Sequence, residues 1–484
     1  MKFQRFEVPG LAHYSYVLGA AGKAVVVDPQ RDIDTYLDYA AANDLKIAYI
    51  LETHIHADYC SGARELAEAT GGELWLSAHD AGEDFAYKFA HHGFHDGEAL
   101  EFGEVRIVAL HTPGHTPEHL SFLVYDTKRS ATTPMLMLSG DFVFVGSLGR
   151  PDLLGEAAKQ KLAGQLYDSL HGTIAALPDG LEVHPAHGAG SMCGAGMGDR
   201  PQTTLGYERL SNMFFADRDK QTFVEHILAT VPPFPDYYRR MKEVNSEGPP
   251  LLAKKTGGTE PPRALPIEEF RKMVLDVNPN GGEPVVIDLR RPEAFGGAHI
   301  PGAFSIGQAP IFANWAAWVV PYDKPILLVG DASTGSSNYD EARRALIRVG
   351  LDDVRGYLKG GMTAWVEAGH EQAHVPQISV SELNERTRDG GMVVLDVRSD
   401  SEWAAGHIQG ATHIMGGDLA KRAGELPRDR KIYAVCGAGY RSSIATGVLR
   451  RAGFRDVVNV DGGMGAWNRQ KLPVVKEEQA VAAR

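Results

Sequence analysis

Cysteine is scarce in this chain. Three residues, Cys60, Cys193 and Cys436, stand among 484. A sparse, odd set is not a disulfide framework, and it fits a reducing cytoplasm in which free thiols can be catalytic. Long apolar runs are missing too. No stretch of about 20 apolar residues occurs, so no membrane-spanning helix is expected. The N-terminal MKFQRFEVPGLAHYSYVLG has neither the continuous apolar stretch nor the small-residue cleavage site of a secretory leader. Basic charge is in deficit, with 49 Lys and Arg against 62 Asp and Glu, a net charge of −13. That balance argues against a nucleic-acid partner or an anionic membrane surface, either of which would repel the chain.

What is present is ordinary globular material, 43% hydrophobic and 23% charged. A chain of 484 residues exceeds what one core supports, so two to four domains are expected. Residues 1–244 alternate short apolar runs with loops and helical stretches, and read as one domain. A segment rich in Pro, Gly and Lys follows and reads as a linker, 245–263. An internal repeat comes next. VVIDLRRPEAFGGAHIPGAFSI begins at Val285 and VVLDVRSDSEWAAGHIQGATHI at Val393. Each opens with a strand ending in Asp (Asp288, Asp396), then Arg (Arg290, Arg398), and each closes with GGM-x-AW. Two copies of one α/β domain with a mostly parallel sheet are predicted, at 264–367 and 378–474.

The first domain holds a constellation of metal-ligand residue types. THIHADY, at 53–59, directly follows the apolar run IAYIL and carries His54, His56 and Asp58. HTPGHTPEH places His115 behind a Pro-Gly turn, SGDFVF places Asp141 after MLML, and HPAHG places His187 after another short strand. One such histidine is usually a packed residue. Four strand-end clusters of His and Asp point to a metal or catalytic site on loops held by a rigid scaffold.

These residues resemble the metallo-β-lactamase superfamily, whose pattern is H-x-H-x-D-H followed by a later His, an Asp and a His. The resemblance covers about the first 240 residues and implies an αβ/βα sandwich with the metal at one edge of its two sheets. In one place the chain departs from the pattern. Where hydrolytic members such as glyoxalase II carry the second-site His, this chain has Tyr59. His54, His115 and Asp141 remain, and two His plus one carboxylate with open positions favour non-haem Fe(II) oxygen chemistry. THIHAD, PGHTP, SGD and GSLGRPDLLG are similar to the persulfide dioxygenase branch, which oxidises the outer sulfur of a low-molecular-weight persulfide to sulfite. The resemblance implies one Fe(II) per chain on His54, His115 and Asp141. His56, Asp58 and His187 would then orient ligands or face the substrate, unless they are simple polar packing. Arg150 reads equally as a substrate-facing cation or a structural pairing residue. Cys193, in the glycine-rich HGAGSMCGAGMG, is either a reactive thiol on a flexible loop near the site mouth or a small buried hydrophobe. For Cys60 the packing reading is favoured.

KIYAVCGAGYRSS runs from an apolar strand into Cys436, a Gly-containing loop with Arg441, and then a helix. Backbone N–H groups at a helix N-terminus lower the pKa of a thiol there, and with Arg441 they can stabilise a persulfide anion. The loop resembles that of rhodaneses over about 378–474. Its four residues between Cys436 and Arg441 are the sulfur-transfer length; the related dual-specificity phosphatases use one residue more. The first copy has Gly330 and Asp331 where this loop begins, with no Cys and no matching Arg, and so resembles an inactive rhodanese.

The fold class expected is thus α/β multidomain, a metallo-β-lactamase sandwich plus two rhodanese-like domains. The architecture resembles bacterial persulfide dioxygenase–rhodanese fusions of sulfide detoxification. Substrates implied are a thiol persulfide, O₂ and sulfite or thiosulfate, in a cytoplasmic homo-oligomer. The rivals are a glyoxalase II-like thioester hydrolase, for which Tyr59 is the discriminating residue, and a non-enzymatic sulfur-sensing scaffold, which the Cys436 loop argues against.

Overall fold

The structure, a computed structural model, describes residues 1–232, 234–255, 258–275, 283–388 and 390–476. It divides into two compact units, one built mainly from Met1–Thr259 and the other from Glu260 onward.

The first unit is a sandwich of two six-stranded mixed sheets. In the first sheet Lys2–Val8, His13–Ala20 and Lys23–Val27 pair antiparallel, and Lys46–Leu51, Glu73–Ser77 and His92–Phe94 continue parallel. The second sheet is antiparallel through Ala99–Phe102, Val105–His111, Leu120–Asp126 and Leu136–Gly140. Glu182–Pro185 then joins parallel, with Thr203–Thr204 at the edge. Side chains alternate across a strand, and the core follows that period. Val25 and Val27 pack inward against Ile107, Phe122 and Leu138 of the facing sheet. Ala24 and Val26 point outward onto Tyr36 and Ala40 of the helix Asp34–Ala42. On the other outer face Met137 and Val183 meet Leu166 of the helix Glu156–Asp168 and Phe223 of Lys220–Thr230. The expected αβ/βα layering is therefore present.

The segment read as linker is packed chain over its first part. The helix Asp236–Glu247 runs into it, and Asn245 is buried there. Leu252 and Ala253 donate their N–H groups to the Glu65 carboxylate. These bonds tie the first part of the segment to the first unit.

The second unit holds two five-stranded, all-parallel sheets of the same topology. One runs Ala264–Leu265, Val354–Leu358, Ile326–Val329, Val285–Asp288, Phe304–Ser305. The other runs Gln377–Ile378, Val457–Val460, Ile432–Val435, Val393–Asp396, Thr412–His413. The repeated motifs do the same job in each. Arg290 forks onto Asp288 and donates to Ala298 O at 2.6 Å; Arg398 forks onto Asp396 and donates to Gly406 O at 2.8 Å. The GGM-x-AW runs hold the strand-end loops, with Met362 N–H on Gly330 O (2.8 Å) and Met464 N–H on Cys436 O (2.7 Å). Among the described residues no helix is long and apolar enough to cross a membrane.

Candidate metal centre and sulfur loop

Strand ends bring the histidines and aspartates of the first unit to one edge of the sandwich. His54, His115 and Asp141 each offer one ligand atom, and these atoms all lie within 4.8 Å of one another. Asp141 Oδ2 stands 3.4 Å from His115 Nε2 and 3.8 Å from His54 Nε2. All three side chains are buried, and none of these three atoms has a hydrogen-bond partner. Three buried polar atoms left unpaired against one another would be costly in any fold that had no use for them.

The far side of each group is tied down. Thr53 Oγ1 donates its only proton to Asp28 Oδ2 (2.9 Å), so it accepts from His54 Nδ1–H (2.9 Å). His115 Nδ1–H donates to the Arg150 carbonyl (2.9 Å). Both tautomers leave Nε2 as a lone pair aimed at the cluster. Burial holds both imidazoles well below their ordinary pKa, in the neutral form a metal requires. Asp141 Oδ1 accepts from His187 Nδ1 (2.7 Å). The donor set, its burial and its unpaired atoms fit a metal ion held by two His and one carboxylate.

Backbone geometry at this edge requires glycine. Gly140 sits at φ +54°, and a Cβ there would lie 2.5 Å from His119 Nε2. At Gly149 a Cβ would lie 1.8 Å from Asp141 O. The SGD and GSLG motifs thus carry residues that let the ligand strands close up.

The other residues singled out in the sequence lie around this trio in different roles. Asp58, His187 and Cys193 form a second buried cluster of possible ligand atoms, with His187 Nε2 2.8 Å from Asp58 Oδ2. Burial opposes charge on His187, but the flanking Asp141 and Asp58 raise its pKa well above the usual value. His56 turns away, its Nε2 3.1 Å from Asp28 Oδ1. Tyr59 is buried and donates its phenol proton to Asp28 O (3.3 Å), so it replaces the pattern's histidine with a packing group. Arg150 is buried, paired with Asp152 (2.7 and 2.8 Å) and with the Met192 and Pro232 carbonyls. Its guanidinium is a structural pairing group, and its backbone carbonyl is what reaches the site.

Of the two readings of Cys193, its surroundings fit the small buried residue. It is 1% exposed, its N–H donates to Ser191 Oγ, and its carbonyl accepts from Arg150 N–H at 2.9 Å. Burial, with Asp58 and Asp141 near by, pushes the thiol well above its ordinary pKa. Cys60 is buried, as the packing reading expects.

Four residues at this edge were missed in the sequence. Asp28 follows Val27 at φ +53° and gathers Thr53 and His56. His119 accepts from Asp141 N–H (3.1 Å), and burial holds its pKa down to about 3; its place in HTPGHTPEH was its only signal. His13 is buried with both ring nitrogens unpartnered, tilted over Tyr59 at 4.1 Å. Asn245 donates to the His56 and Tyr59 carbonyls, each at 2.8 Å, and so fixes the metal-loop backbone. A lone Asn in a Pro- and Gly-rich stretch carries no such signal.

In the second unit Cys436 ends the strand Ile432–Val435, and the helix Tyr440–Arg451 starts four residues on. Gly439 N–H donates to Cys436 Sγ at 3.1 Å, and the Ser442 hydroxyl stands 3.4 Å from it. Arg441 forks onto Glu402 (2.6 and 2.7 Å). Burial works against the charge on Glu402, yet Arg441 and Ser399 hold its carboxyl down at about 2. Glu402 is a partner for Arg441 that the sequence reading left unassigned. In the first copy the strand Ile326–Val329 leads into Gly330 where Cys436 stands, and Ala294 occupies the place of Glu402.

Residues 8–190 match the metallo-beta-lactamase superfamily, and residues 270–368 and 379–470 each match the rhodanese-like domain. A metallo-beta-lactamase from Staphylococcus aureus shares 33% identity and a TM-score of 0.64, over 74% of this chain and 99% of that one. The chain belongs to the metallo-beta-lactamase superfamily and carries two rhodanese-like domains behind that domain. Persulfide dioxygenase ETHE1, mitochondrial, of Bos taurus is 29% identical over 191 residues, 38% of this chain and 66% of that protein. A hydroxyacylglutathione hydrolase of Anaeromyxobacter dehalogenans is 33% identical over 183 residues, 37% of this chain and 62% of that protein. The chain spans 60–66% of the length of such curated relatives.

Proposed function

We propose that the chain is an Fe(II)-dependent persulfide dioxygenase joined to one working sulfurtransferase. The observation that carries this is the buried trio His54, His115 and Asp141, whose facing atoms are unpaired while their other atoms are anchored. One iron there would supply open positions for a thiolate and for dioxygen. Thr53 and the Arg150 carbonyl fix the imidazole tautomers, His187 orients Asp141, and the surrounding burial excludes water. The overall change is RSS⁻ + O₂ + H₂O → RSH + SO₃²⁻ + H⁺, in which the outer sulfur is oxidised and O₂ reduced. At Cys436 a persulfide sulfur would pass to sulfite, Cys–S–S⁻ + SO₃²⁻ → Cys–S⁻ + S₂O₃²⁻, or the reverse. Gly439 N–H would stabilise the sulfur anion left behind, with the Arg441 charge close to it while Arg441 itself is forked onto Glu402. The Cys-free copy, 264–367, carries no sulfur. Anaerobic purification with metal analysis, followed by O₂ uptake with a supplied persulfide, tests the reading.

One observation favours a second reading, thioester hydrolysis of the hydroxyacylglutathione hydrolase kind. Asp58, His187 and Cys193 could hold a second ion beside the first. Two metals per chain with thioesterase activity would support it.

A further inference from the structure

The Cys-free copy touches the helix that carries the reactive loop, and the contact runs along one face of it. Tyr440, Ser443, Gly447 and Arg451 share a face at helical spacing. Tyr440 donates its phenol proton to Gly307 O at 2.8 Å. Ser443 Oγ lies 2.7 Å from Ser305 Oγ, both buried. A Cβ on Gly447 would come within 3.6 Å of Ala303 O. Arg451 donates to Gly302 O at 3.0 Å and lies over the Phe304 ring. The segment 302–307 therefore follows the helix from its last residues to its first. The helix's other side packs on its own strands Ile432–Val435 and Val457–Val460.

The first turn of this helix is the part that matters for sulfur. Gly439, whose N–H meets Cys436 Sγ, sits at φ +101°, and no side chain caps the helix start. A start without its own cap, at a permissive glycine, gains its position from what binds it outside. Tyr440 is the next residue, and its anchor is a carbonyl of the other copy.

We propose that the Cys-free copy is the positioning element of the sulfurtransferase site. Gly307 O holds Tyr440, and Ser305 holds Ser443, so that Gly439 N–H and the Ser442 hydroxyl stay on the Cys436 sulfur. Tyr440 and Ser305 are positioning residues, since neither touches that sulfur. The proposal rests on the reading of Cys436 as a sulfur carrier, and it gives a reason for a complete domain that has lost its nucleophile.

The test uses the full chain with Tyr440→Phe and, separately, Ser305→Ala, which lies wholly in the Cys-free copy. In Tyr440→Phe the kcat for thiosulfate-to-thiol sulfur transfer should fall about tenfold, because small misplacements of reacting groups are costly. Ser305→Ala should show a smaller loss of the same kind. KM for thiosulfate should stay within about twofold, since Arg441 is untouched. Alkylation of Cys436 by iodoacetamide, followed peptide by peptide, should slow in step, while the unfolding midpoint falls by only a few degrees for the lost hydrogen bond. Wild-type kcat and alkylation rates in both variants, or a loss confined to KM, would overturn the proposal. If Tyr440→Phe fails to fold, Ser305→Ala decides. A wild-type chain with no sulfur transfer at all would instead sink the sulfurtransferase reading, and the alkylation rates would still decide the role of the contact.

Discussion

His115 Nε2 and Asp141 Oδ2 face each other at 3.4 Å, both buried and neither hydrogen-bonded. A metal ion between them would relieve that arrangement. Purified without oxygen, the chain is expected to hold about one iron, and His115→Ala should empty the site and abolish O₂ uptake with a persulfide. Two tightly held zinc ions per chain would rule this out and favour the hydrolase.

Asp28 acts on that site at one remove. It fixes Thr53, which fixes the His54 tautomer. Asp28→Asn should weaken metal binding by about 10–100-fold, the usual effect of losing a group behind a ligand. Chelator competition reads this directly, and an unchanged affinity would remove Asp28 from the account.

Cys436→Ser should separate the two activities. Serine is too weak a nucleophile at neutral pH to carry sulfur. Sulfur transfer from thiosulfate should vanish while persulfide-dependent O₂ consumption stays. Loss of both would contradict the two-site reading.

The products should report the coupling. Both candidate sites are in one chain, so on the proposed reading sulfite made at the first would meet Cys436 at raised effective concentration. Wild-type protein given persulfide and O₂ should yield thiosulfate alongside sulfite, and Cys436→Ser should shift the yield to sulfite. Mass spectrometry should find added sulfur at Cys436 and none between residues 264 and 367. Equal thiosulfate-to-sulfite ratios in the two proteins, after subtracting spontaneous reaction, would disprove the coupling.

Glu402 sets a pH dependence. Its carboxyl is held at about 2, below the ordinary 4.5, so the pair with Arg441 stabilises the fold above pH 4.5. That contribution is lost as pH falls toward 2. Glu402→Gln should lower the unfolding midpoint by a constant amount between pH 5 and 8, and the difference should shrink in acid. A difference that grows in acid would show that Arg441 is not the partner that matters.

Much of the fold was written in the sequence, because strand-end motifs and a repeat are local patterns. The THIHADY, PGHTP and SGD clusters each mark a strand that ends in a ligand, and VVIDLR and VVLDVR each mark the same turn of one domain. The trio His54, His115 and Asp141 was picked out by its likeness to a family pattern, and folding brings the three side chains together. Its surroundings were not. Asp28, His119 and Asn245 lie far from those motifs or are silent within them, and they matter only through contacts that folding creates. Arg150 and Cys193 illustrate the same limit, since a charge or a thiol takes its role from what it is buried against. The loop at Cys436 was picked out by its likeness to the rhodanese loop, but its anchor, the Gly307 carbonyl, is a backbone atom with no side-chain identity. Sequence encodes residue type and spacing along the chain; partners distant in sequence are chosen by packing, and packing exists only in three dimensions.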